Sequence, residues 1–157
     1  MDAATLPHID EHTITVDVAD PARVWSALGE VLARSRVPGL GGSRIPATTR
    51  AARLIRVHPG SRAGDPLLAG STLPGFAVVS AEPCRDLVLQ GHHRFSRYAL
   101  IFRLAAGDGR TTLSAQTCAA FPGAGGRAYR ALVIGTGGHG LVVRALLRST
   151  RTCAERS

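Results

Sequence analysis

The chain has 157 residues, 45% hydrophobic, 19% charged and 4% aromatic; this length suits one domain with a proper core, and no run approaches the ~20 apolar residues of a membrane span. Its 19 basic residues are all arginine and outnumber 11 acidic ones, for a formal charge of +8. They stand singly along the chain, which argues against the clustered arm of a nucleic-acid binder.

Three cysteines, Cys84, Cys118 and Cys153, have no metal-like spacing, and the N-terminus lacks a basic start and an apolar run. These features fit reduced thiols in a cytoplasmic protein. A single domain over residues 1–157 is expected.

Thr13–Val18 alternates, with Ile14, Val16 and Val18 on one face, as a half-buried strand does. Asp20-Pro21 supplies an N-cap and a first-turn proline together. The helix that follows would bury Val24, Leu28, Val31 and Leu32, with Gly29 as a point where it could divide in two. Breakers crowd residues 38–74, leaving 52–57 as a strand candidate and Pro66–Gly70 as a fragment of another.

Four successive strands are expected at Phe76–Ala81, Asp86–Phe95, Arg97–Leu104 and Thr111–Ala120. Their short connections demand antiparallel pairing. Alternation puts Tyr98, Leu100, Phe102 and Leu104 on one face with Leu87, Leu89, Gly91 and His93, and turns Arg97, Arg103 and His92 outward.

The final apolar stretch, Gly126–Cys153, shows helical spacing through Tyr129, Leu132, Thr136, Val143, Leu146 and Leu147. It also spells G-x-G-x-x-G at Gly135–Gly140. A dinucleotide turn needs a strand before it and an acidic residue ~20 positions later. Here a helical segment precedes it and only Glu155 is acidic in the tail, so the spelling is accidental. Kept inside one helix, Gly135, Gly137, Gly138 and Gly140 would weaken it by roughly 4 kcal/mol, a cost that packing or a bend must absorb.

Strand, helix pair, antiparallel strands and one long closing helix is the helix-grip order. The chain resembles the SRPBCC superfamily of START-like, polyketide cyclase/dehydratase-like and plant pollen-allergen-like domains. The residues that carry the resemblance are Asp10–Val18 followed by Asp20–Leu28, Leu73–Val79, Leu87–Tyr98 and Phe121–Arg130, in the manner of an uncharacterised bacterial branch. It implies an α+β fold: a curved antiparallel sheet wrapped around a long C-terminal helix, with two short helices after the first strand. It also implies an apolar cavity between sheet and helix, with no cofactor.

His93 and His139, if both point inward, would make an acid–base pair near neutral pH, with Tyr98 a third candidate for proton transfer. Two unrelated histidines, one satisfied locally and one at the surface, are the plainer alternative. Leu89, Leu100, Phe102, Thr117, Tyr129, Thr136 and Val143 are the candidate ligand-lining residues. A His92–His93 metal pair is disfavoured by alternation, so no metal site is assigned.

The leading expectation is binding of a small hydrophobic or aromatic molecule in the cavity. The alternative is a polyketide cyclase/dehydratase-like enzyme acting on a biosynthetic intermediate, and a third class is a module whose basic outer face meets an acidic partner. Membrane and nucleic-acid partners are not expected; a homodimer is left open.

Overall fold

Alternation along the first strand begins further upstream than its hydrophobic residues suggest. In a computed structural model, which describes residues 5–35 and 61–156, β1 spans His8–Val16. The helix α1 (Pro21–Arg34) starts where expected, with Asp20 Oδ1 accepting a 2.9 Å bond from the Ala22 amide. Gly29 does not interrupt it. A side chain there would meet Leu67, since an added Cβ lies 2.6 Å from Leu67 Cδ1, so the glycine serves close packing.

The candidate strand at 52–57 lies outside the described residues. Pro66–Gly70 forms turns instead of a strand. Asp65 accepts from the Leu67 amide through its side chain and from the Leu68 amide through its carbonyl, an Asx arrangement that competes with extended pairing. Arg62 donates to the carbonyls of Leu32, Ala33 and Ser35. One guanidinium thereby satisfies the open C-terminal end of α1.

The remaining strands are β2 (Thr72–Leu73), β3 (Phe76–Glu82), β4 (Asp86–His93), β5 (Ser96–Gly107) and β6 (Arg110–Ala120). They form one six-stranded sheet in the order β1-β6-β5-β4-β3-β2, with every pair antiparallel. Asp108 and Gly109 both have positive φ, 51° and 72°, the two-residue turn that matches strand twist and joins β5 to β6.

The inner face carries Leu87, Leu89, Leu100, Phe102 and Leu113, all essentially buried, and Val24 and Leu28 of α1 complete this core. Burying each such side chain is worth about 1.5–3 kcal/mol. The outer face exposes Arg97 and Arg103 as expected. It also holds a small apolar cluster, Ala99, Ile101 and Cys118, with Leu6 packed on it.

The closing stretch is two helices. After α2 (Gly123–Val133) the chain turns and α3 (Gly138–Arg156) begins. Gly137 adopts φ +71°, a left-handed conformation that ends a helix and suits glycine. The Thr136 hydroxyl donates to the Leu132 carbonyl at 2.7 Å, and the Gly137 amide to that of Ile134 at 2.9 Å. The glycines thus make a joint and do not weaken a helix interior. Leu132, expected in the buried stripe, is 62% exposed. Val143, Leu146, Leu147, Thr150 and Ala154 of α3 are buried. Among the described residues no helix is long and apolar enough to cross a membrane.

Candidate functional site

Two groups of polar and aromatic side chains interrupt the aliphatic inner face, both at the end of the sheet near the α2–α3 joint. The first is built on the β4–β5 hairpin. His93 Nδ1 accepts from the Phe95 amide at 3.1 Å, which leaves the ring proton on Nε2, 2.8 Å from the buried Ser96 hydroxyl. Burial, and secondarily the neighbouring His92, hold the His93 pKa below its ordinary 6.5. The ring is neutral at pH 7 with both nitrogens occupied.

Tyr98 donates its hydroxyl to the Gly75 carbonyl at 2.8 Å and meets Phe76 edge-on, centroids 5.1 Å apart. Burial, with Tyr129 adding to it, pushes the Tyr98 hydroxyl well above the usual tyrosine range. Tyr129 of α2 sits over this group, its ring 4.6 Å from His93 and 6.3 Å from Phe95. Its own pKa is raised by burial. Tyr129 is half-buried, whereas the other described side chains of α2 are exposed. The helix therefore rests on the β4–β5 hairpin through Tyr129 and through Gly125 and Gly126, which lie close against Phe95.

The second group lies across β1, β6 and the first turns of α3. Asp10 pairs with Thr117 in the sheet register, and strand alternation puts His12 on the same face as Asp10. His139 Nε2 lies 2.9 Å from Thr117 Oγ1 and 3.9 Å from Asp10 Oδ1. His12 Nε2 is 3.4 Å from Asp10 Oδ2, and His12 Nδ1 accepts from Arg144 Nε at 3.4 Å. Gly140 closes over the pair: a Cβ there would lie 3.2 Å from His12 Nε2. Asp10 Oδ1 and His12 Nε2 are buried and make no hydrogen bond among the described residues.

The two candidate histidines therefore belong to different groups. His93 engages the β4–β5 hairpin and Tyr129, while His139 engages Thr117 and Asp10. Leu89, Leu100, Phe102 and Val143 are core residues, at most 2% exposed. Thr136 lies exposed in the joint, bonded to Leu132. Asp10 and His12 fall within Asp10–Val18, which carries the resemblance, but are not among the candidate site residues of the sequence. Their signal was the i, i+2 alternation that continues from Val16 and Ile14 back to His12 and Asp10.

Beneath α3 and α1 the seam is closed. A crevice of about 20 Å³ lined by Leu32, Leu73, Phe76, Leu89 and Leu146 remains, far below the ~300 Å³ of an ordinary ligand pocket. A wider concavity of about 670 Å³ lies outside, between the C-terminal halves of α1 and α3. It is an open polar groove where Arg34 bonds Glu30 at 2.6 Å. Arginines in the last turns of helices compensate the helix dipole, so we do not take that groove as the site.

No family model matches the chain, and no curated protein does. Solved structures do. A conserved protein from Geobacillus kaustophilus aligns over 94% of this chain and 95% of its own, at 15% identity and TM-score 0.55. An uncharacterized protein from Rhizobium leguminosarum covers 98% of both chains at 12% identity and TM-score 0.54. Ara h 8.0201 covers 94% of this chain and 97% of its own, at 9% identity and TM-score 0.54. Identities so low speak to fold alone. The fold is α+β helix-grip, an antiparallel sheet closed by a long C-terminal helix. This is the fold that the resemblance implied.

Proposed function

We propose that the chain binds a small apolar or aromatic molecule on the inner face of the sheet, beneath α2, with displacement of that helix as the route of entry. One observation carries this reading. The closing helix is jointed at Gly137 where the inner face changes from aliphatic to polar and aromatic, and α2 covers that area through Tyr129. The wall residues are then His93, Tyr98, Thr117, Tyr129 and His139, with Leu100 and Ala119 as floor. A few placed polar groups in an apolar surround is the common composition of small-molecule sites.

Thermal-shift and calorimetric titration with fused-ring aromatics tests the proposal. Saturable one-to-one binding is expected, with stabilisation of about 2.7 kcal/mol at a hundredfold excess over Kd. Amide chemical-shift changes should centre on Tyr98, Thr117 and Tyr129. Absence of binding at millimolar ligand, or changes confined to the α1–α3 groove, overturns it.

An enzymatic reading, a cyclase or dehydratase acting on a biosynthetic intermediate, is favoured by one arrangement: a carboxylate and an imidazole, Asp10 and His139, facing each other beside a hydroxyl. In this reading His139 moves the proton, and His93, with both nitrogens occupied, shapes the wall. His139→Gln should then abolish turnover and leave the fold intact; an unchanged rate removes the role.

A further inference from the structure

We infer that Asp10 and His12 form the hydrogen-bonding end of this site and select ligands that carry a hydroxyl, a phenol being the best fit. The inference rests on the proposed binding of an aromatic molecule and specifies its chemistry. Because His12 Nδ1 accepts from Arg144, the ring proton is on Nε2, which makes that nitrogen a donor. Asp10 Oδ1 is an acceptor. Both atoms are buried, and neither makes a hydrogen bond among the described residues. Buried polar groups are ordinarily paired.

The two groups already face each other, with His12 Nε2 3.4 Å from Asp10 Oδ2. A hydroxyl is the small group that both donates and accepts, so it answers the carboxylate and the imidazole together. An ether, a ketone or a hydrocarbon meets at most one of them.

The placement also sets the ligand's shape. Asp10 lies on β1 and Tyr98 on β5, with β6 between them, so the polar end and the aromatic wall stand two strand spacings apart, about 10 Å. Between them lie Thr117, bonded to His139, and the buried Leu100 and Ala119, so a fused-ring body reaching from Tyr98 to Asp10 passes beside His139. Gly140 closes the polar end, and the joint at Gly137 lies only three residues before it.

Three ligands separate the possibilities: naphthalene, 2-naphthol and 2-methoxynaphthalene, the last keeping the acceptor oxygen but losing the donor proton. With the wild-type chain 2-naphthol should bind at least about tenfold more tightly than either of the others, the effect of a hydrogen bond to a charged group. Asp10→Ala should bring 2-naphthol within about twofold of 2-methoxynaphthalene, because both oxygens can still accept from His12 Nε2 while the phenol proton has lost its acceptor. Equal affinities in the wild type, or a 2-naphthol preference over 2-methoxynaphthalene that survives Asp10→Ala, overturn the inference while leaving the binding proposal standing. If none of the three binds, the binding proposal fails and the inference with it. The wild-type comparison needs no variant, so it stands even if Asp10→Ala does not fold.

Discussion

Gly91→Ala is the sharpest test of how the aromatic wall is held. The inner face at Gly91 lies directly against the β2–β3 turn: a methyl group there would collide with the Gly75 carbonyl oxygen and lie 2.6 Å from Tyr98 Cε2. Both contacts belong to the same bond, the Tyr98 hydroxyl on Gly75. Relieving the overlap costs about 1–3 kcal/mol. Losing the hydrogen bond adds about 1 kcal/mol, and disturbing the edge-on Phe76–Tyr98 pair adds about 1 kcal/mol. The sum, about 3–5 kcal/mol, corresponds to a Tm lower by about 10 °C for a chain of this size.

Urea unfolding followed by circular dichroism measures it, with Gly107→Ala as control. Nothing lies within 4 Å of a Cβ at Gly107 and its φ is ordinary, so that variant should stay within about 0.5 kcal/mol of wild type. A Gly91→Ala chain within 1 kcal/mol of wild type would refute the claim that Gly75 holds Tyr98 against β4.

Other outcomes follow from single contacts. The folded pKa of His93 lies below the unfolded value of 6.5. As pH falls below about 6.5, the unfolded chain binds a proton that the folded ring refuses, so stability falls until the folded pKa is passed. His93→Gln should flatten the urea-midpoint profile just below the ordinary histidine pKa of 6.5. Burial raises both tyrosine pKa values, so native absorbance at 295 nm should show no ionisation step near pH 10; unfolding should release both hydroxyls. Asp20→Ala removes the cap on Ala22 and should cost about 1 kcal/mol. Tyr129→Ala should speed amide exchange across 123–134 and leave 143–154 protected, because α3 is anchored through buried side chains of its own.

Much of the fold was legible because local signals agreed with one another. The strands at 76–120 combined period-two patterning with connections too short for a crossover, and Asp20-Pro21 marked a helix start by capping chemistry alone. The joint in the closing stretch was harder to place. Spacing at threes and fours continues across it, and only the left-handed backbone of Gly137 separates two helices from one bent one.

The site divides in the same way. Tyr98 and His93 could be assigned to the inner face from alternation, whereas their bonds to Gly75 and Ser96 depend on turns that periodicity does not describe. Asp10 and His12 escaped notice because charged and polar residues at the start of a strand read as its solvated end. Only α3 crossing over β1 brings Arg144 and His139 onto them.

The Arg62 contact with the carbonyls of Leu32, Ala33 and Ser35 has a further consequence. It fastens together the point where the chain leaves α1 and the point where it returns toward the sheet. Arg62→Ala should therefore free the last carbonyls of α1 and loosen both of those points together.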